Sequence, residues 1–143
     1  MRVAIDANTV VSGLFFHGNE RELLLKSLDG KVVLIFAEDV IEEVYAVIQE
    51  TFRDHPDLKA ALQLLSALFH AGDLVPRRDY REGVETWKRH IRDASDAPLV
   101  AAAIAAKADC LVTGDKDLLV LEEVSAIQVM RTRAVLERIA ERG

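Results

Sequence analysis

What the chain lacks narrows its possible roles before any motif is considered. Its 143 residues hold one cysteine, Cys110, so no internal disulfide can form, and a buried thiol in a reducing compartment is the expected state. No apolar run approaches the roughly 18 residues of a membrane span. The start, Met1-Arg2-Val3-Ala4-Ile5-Asp6, does not read as a signal peptide, because its apolar run is short and a carboxylate interrupts it. A cytoplasmic protein with no membrane contact is expected. Positive charge is in deficit: 18 Lys and Arg against 24 Asp and Glu give a formal charge of −6. That argues against coating of nucleic acid by bulk electrostatics. It does not bear on a carboxylate cluster, which is negative until cations fill it. His17, His55, His70 and His90 lack metal-ligand spacing, so neither a zinc site nor a histidine-based ribonuclease pair is expected.

What is present reads as one domain over 1–143. Half of the residues are hydrophobic, which excludes a disordered chain, and the sequence has no repeat, low-complexity tract or linker. Arg2 to Ile5 reads as a short buried strand. Asn19 is placed to cap a helix from Glu20 to about Asp29, stopped by Gly30. Lys31 to Phe36 is a second strand. Glu38 to Thr51 is a helix with Val40, Ile41, Val44, Val47 and Ile48 on one face. Pro56 to Ala71 is another, and Leu74-Val75 a brief third strand. Val84, Trp87 and Ile91 hint at a helix within the basic stretch Arg77 to Arg92. An alanine-rich helix from Asp96 to about Lys107 leads to a fourth strand, Cys110 to Thr113. Ile127 to Met130 is a fifth strand, placed at an edge, and Ala134 to Glu141 a closing helix. Apolar strands alternating with helices predict the α/β class: a three-layer sandwich with a five-stranded parallel sheet and helices on both faces.

Ligands of open parallel sheets gather beyond the carboxyl ends of the strands. Asp6 follows the first strand directly, and Asp115 follows the fourth by one glycine, in Thr113-Gly114-Asp115-Lys116-Asp117. Asp96 opens the helix that leads into that fourth strand. Glu42 and Glu43 compete for a fourth position. Glu43 lies about 100° from the centre of the apolar stripe and Glu42 about 160°, so Glu43 borders the buried face and Glu42 points to solvent. Each acid has a plain structural alternative. Asp96 suits an N-cap before Pro98, and Asp6 a turn residue with Asn8 capping the next helix. Asp115 fits a turn or the start of a short helix over Leu118 and Leu119, and Glu43 is an ordinary flank residue. Together they favour a site, because clustered carboxylates repel and need cations to offset the cost.

These residues carry a family resemblance. Val3-Ala4-Ile5-Asp6-Ala7-Asn8-Thr9-Val10-Val11-Ser12 resembles the opening motif of the PIN-domain nucleases, and Glu43 in Ala37-Glu38-Asp39-Val40-Ile41-Glu42-Glu43-Val44 is similar to their second acid. Asp96-Ala97-Pro98-Leu99-Val100-Ala101-Ala102-Ala103 resembles the third motif, and Val112-Thr113-Gly114-Asp115-Lys116-Asp117-Leu118 the fourth. The ordered set spans nearly the whole chain, and the nearest subgroup is the VapC-like toxins of bacterial toxin–antitoxin pairs. The resemblance implies strand order 3-2-1-4-5, a divalent metal (Mg²⁺ or Mn²⁺), hydrolysis of single-stranded RNA, an antitoxin partner and a homodimer. It also implies Asn8 and Thr113 as polar helpers. Ala37 stands where relatives often have serine, so a helix cap is missing there.

On this reading Asp6 anchors the principal ion, with Asp96 and Asp115 as further ligands, while Glu43 binds a second ion or orients the attacking water. Asp117 and Asp93 are reserve acids. Arg77, Arg78, Arg81, Lys88, Arg89 and Arg92, with Lys116 beside Asp115, are the cations available to RNA, and Tyr80 and Trp87 could stack on bases. Two rivals remain. An aspartyl phosphatase needs a second acid two residues after the nucleophile, where this chain has Asn8. A binding module without activity would use the acids only as caps and surface.

Overall fold

The computed structural model describes residues 1–142. Six strands, β1 (Arg2–Ile5), β2 (Val33–Ala37), β3 (Asp73–Val75), β4 (Cys110–Val112), β5 (Glu123–Val124) and β6 (Ile127–Met130), form one sheet in the order β3-β2-β1-β4-β6-β5. All pairings are parallel except β5 with β6. The first five strands of that order match the predicted arrangement. The sixth is a correction: the strand expected at the edge is β6, and an antiparallel β5 covers it. Ser125 and Ala126, with φ of 50° and 69°, make the two-residue turn that joins them. A turn of that kind usually advertises itself through Gly or Asn, and neither is there to be seen.

Helices α1 (Ala7–Phe15), α2 (Asn19–Leu28), α4 (Leu58–Ala71) and α8 (Thr132–Arg142) pack together, while α5 (Arg81–Lys88) and α6 (Ala97–Ala105) pair across the sheet. Between them α3 (Glu38–Val47) touches both α1 and α6, and α7 (Lys116–Leu119) is a single turn before β5. Crossovers from β1 to β2 to β3 run one way along the sheet and the crossover to β4 runs back. Right-handed connections therefore put the two helix groups on opposite faces. The alanines of α6 serve this geometry. Ala97, Ala101, Ala102 and Ala103 are buried, and their small side chains let α6 lie against β1, β2 and β4.

Element boundaries depart from expectation in several places. Asp6, not Asn8, caps the helix after β1, with its Oδ1 accepting from the Thr9 amide at 2.9 Å. Asn19 is the first residue of α2 rather than its cap; Gly18 holds the cap position with no side-chain bond. Lys31 and Val32 precede β2 instead of belonging to it. The helix expected from Glu38 to Thr51 is α3 followed by a more widely wound turn through Ile48–Phe52, whose Phe52 ring stacks on Phe15 at 4.1 Å. Gly13 allows α1 and α2 to meet. A Cβ there would lie 2.5 Å from Leu24 Cδ1 and 3.0 Å from the Glu20 carbonyl oxygen. Among the described residues no helix is long and apolar enough to cross a membrane.

Candidate active site

Parallel pairing of β1 with β4 matches Ile5 to Val112, so the next residues along the register are Asp6 and Thr113. Both leave the sheet at its carboxyl edge. Thr113 is buried, and its hydroxyl donates to Asp6 Oδ2 at 2.5 Å while accepting from the Asp115 amide at 3.0 Å. One threonine thus ties together two acids 109 positions apart in the chain numbering. Asp115 caps α7, its Oδ1 accepting from the Asp117 amide at 2.8 Å.

Asp96 sits at the cap position of α6 yet makes no capping bond. Its side chain turns toward the other acids: one carboxylate oxygen each from Asp93, Asp96 and Asp115 lie within 4.8 Å of one another. Asp96 Oδ2 is buried with no hydrogen-bond partner. Burial raises the Asp96 carboxyl first, then a hydrogen bond with Asp115 open to its protonated form, then the charges of Asp115, Asp93 and Asp6; together they push it up to about 7. Asp93 is exposed and lowered by hydrogen bonds from the Ser95 hydroxyl and amide. Glu43 stands at the rim on α3, raised by partial burial and then by the Asp6 charge. Glu42, one residue earlier, points away and pairs with Arg77 at 2.8 Å.

The donor set is oxygen throughout and carries several negative charges over a few ångströms. Hard divalent cations take such sets, and soft or imidazole-preferring metals do not. The partnerless Asp96 oxygen is the specific sign of fit, since a buried charged oxygen is costly unless something binds it.

The basic stretch distributes itself differently from the linear expectation. Arg77 is held by Glu38, Asp39 and Glu42 at 2.8, 3.0 and 2.8 Å, which takes its guanidinium out of reach as an RNA contact. Lys88 pairs with Glu85 at 3.2 Å, Arg78 approaches Asp79 and Arg92 approaches Asp117, each at 3.8 Å. Arg81, Arg89 and Lys116 are exposed. Tyr80 is not a stacking platform. It is buried in the core, where its hydroxyl donates to Asp39 Oδ1 and accepts from the Asp39 amide at 3.1 Å. That second bond provides the cap that Ala37 cannot, at the start of the helix bearing Glu43. Trp87 is half-buried against the core, edge-on to His90. Removing the phenol in Tyr80→Phe leaves the Asp39 amide without its acceptor, while the Asp39 carboxylate keeps Arg77 at 3.0 Å. It should cost about 1–2 kcal/mol, read as a lower urea midpoint at unchanged slope.

Three residues escaped the sequence reading: Ser12, Arg131 and Arg133, which line a cavity beside Asn8 and Thr113. The rule that ligands collect beyond strand ends applies to β6 as much as to β1 and β4, and applied there it would have found the two arginines.

Two solved structures share the fold at low identity. One is VapBC2 from Rickettsia felis bound to a DNA fragment from their promoter, at TM-score 0.64 and 14% identity over 92% of this chain and 98% of that one. The other is PAE2754 from Pyrobaculum aerophilum, at TM-score 0.66 and 17% identity over 99% and 90%. No curated protein matches the chain significantly. The PIN-domain profile matches residues 2–117, a span that holds Asp6, Glu43, Asp96 and Asp115 and every strand of the order β3-β2-β1-β4. The chain belongs to the PIN-domain family.

Proposed function

We propose that the chain is a divalent-metal-dependent endoribonuclease that hydrolyses phosphodiester bonds of single-stranded RNA, working as the toxin of a toxin–antitoxin pair. One observation carries the reading: Asp96 gives up its capping role and buries a partnerless oxygen beside Asp115 and Asp93. A purely structural aspartate at a helix start would accept backbone N–H bonds there. The family adds a prior for nuclease chemistry, and the likeness to a toxin–antitoxin complex supports an antitoxin partner.

Asp6, Asp96 and Asp115 would hold Mg²⁺ or Mn²⁺, with Asp93 at the rim. When bound, the ion neutralises the carboxylates, polarises a phosphate oxygen and lowers the pKa of water. Thr113 fixes the Asp6 carboxylate through its 2.5 Å bond, so the ligand need not reorganise. Asp6 and Glu43 both lie outside the Asp93–Asp96–Asp115 trio; the raised proton affinity of Glu43 suits it to orient the attacking water and take its proton. Water adds to phosphorus, the bond to the 3′-oxygen breaks, and the products are a 5′-phosphate and a 3′-hydroxyl.

The test is cleavage of a labelled single-stranded RNA in Mn²⁺ and in excess EDTA. Cleavage in Mn²⁺ that EDTA abolishes is expected. Equal cleavage in both conditions, or none in either, would overturn the proposal.

A further inference from the structure

Beyond the carboxyl ends of β1, β4 and β6 a cavity of about 280 Å³ opens next to the carboxylates. Asn8 and Ser12 of α1, Asn19 of α2, Thr113, Arg131 and Arg133 form its walls. We propose that this cavity is a nucleotide subsite, in which Arg131 and Arg133 take the phosphate neighbouring the scissile one and Asn8, Ser12 and Asn19 hydrogen-bond its base or ribose. The proposal rests on the nuclease reading of the adjoining acids and names where their substrate lies.

Contiguity is the first argument. Thr113 belongs to both places: its hydroxyl holds Asp6, and the same residue lines the cavity. An RNA strand with a phosphate at Asp6 therefore runs directly into these walls.

Charge is the second. Several cations of the chain are committed elsewhere: Arg2 to Asp73, Arg77 to three carboxylates, Lys88 to Glu85. Among the described residues Arg131 has no carboxylate within 4.0 Å, and Arg133 has only the exposed Glu137 at 3.5 Å. In an acidic chain these are available positive groups at the edge where the acids sit.

The third argument is that the two arginines stand where folding disfavours them. They flank Thr132 at the start of α8, an eleven-residue helix with no acid in its first turn. The N-terminal end of a helix is electrically positive and favours carboxylates; cations there are unfavourable. Only the exposed Glu137, one turn on, offsets the charge of Arg133; an anion would be drawn by both arginines and by the helix end.

Size and lining define the ligand. The volume lies at the low end of small-ligand sites, enough for one nucleotide and too small for a duplex. Asparagine and serine both donate and accept, as base edges and ribose hydroxyls require. Glu20 is the one carboxylate lining the cavity, and it suits a 2′-hydroxyl or base amino group, not phosphate.

The probe is a ten-nucleotide fluorescein-labelled single-stranded RNA, followed by anisotropy with intact protein in EDTA, where no cleavage intervenes. The Arg131→Gln, Arg133→Gln double variant should bind at least ten-fold more weakly. Loss of two phosphate contacts should also make the salt dependence shallower by about 1.4 in log–log slope. Arg53→Gln with Lys59→Gln, the same charge change on a remote surface, should stay within two-fold of wild type. Because both arginines oppose the helix dipole, the first double variant should also melt at the same temperature as wild type or higher, so misfolding cannot account for weaker binding. Wild-type affinity and slope in that variant would overturn the proposal, and so would an equal loss in the remote control. Retained RNA affinity with lost binding of an acidic peptide would assign the cavity to a protein partner and also overturn it. If wild type binds RNA through these arginines yet never cleaves it in Mn²⁺, the nuclease reading fails and the subsite stands.

Discussion

Asp6→Asn is expected to lower RNA cleavage by about a thousand-fold while leaving the fold intact. The substitution preserves shape: an amide oxygen can still accept from the Thr9 N–H that now meets Oδ1 at 2.9 Å, so α1 keeps its cap. Only the charge is lost, together with the oxygen that Thr113 orients. The Thr113 hydroxyl can turn its hydrogen away and accept from the new amide group with one lone pair while the other still accepts from the Asp115 amide, a small structural cost. Single-turnover cleavage in saturating Mn²⁺ reads the activity, and a urea midpoint close to wild type confirms folding. Asp115→Asn should behave alike, since its Oδ1 cap to the Asp117 amide also survives the change. Rates within three-fold of wild type in both variants would remove the acids from the chemistry.

Asp96→Asn should have two opposite effects. Without metal it should stabilise the protein at pH 8, by several degrees in melting temperature, because a buried carboxylate among like charges is neutralised. The sign follows from linkage. The folded-state value of about 7 lies above the ordinary carboxylate value, so the folded protein holds this proton more tightly than the unfolded chain does. Metal-free stability therefore falls as pH rises from about 4 to about 7, and Asp96→Asn should flatten that decline. With metal the outcome reverses. Mn²⁺ should raise the wild-type melting temperature more at pH 8 than at pH 6, since the ligand must be deprotonated, and should do so little in the variant. Scanning calorimetry across that range decides it: a metal-free wild type equally stable at pH 5 and pH 8 would show that the acids do not strain the fold.

Much of this was legible in the sequence because it depends on patterns the backbone enforces. Continuous apolar strands alternating with helices gave the α/β class, the family resemblance gave the sheet order, and helical geometry separated Glu43 from Glu42, which the structure turns toward Arg77. What escaped depended on distant partners. Tyr80 looked like a surface aromatic in a basic tract, and only the fold reveals that its hydroxyl caps a helix begun forty residues earlier. Arg77 looked available for RNA until three acids of that same helix surrounded it. The β5–β6 turn lacked any residue that marks a reversal, so two residues of strand went unseen.

Both borders of the sheet are short. At one side lies β5, two residues long and tied back by its turn; at the other lies β3, three residues long, with Asp73 bound to Arg2 and Pro76 immediately after. Neither border offers enough unpaired backbone to template another strand. Any protein partner, a second copy of this chain included, would therefore dock against helices and loops instead of lengthening the sheet.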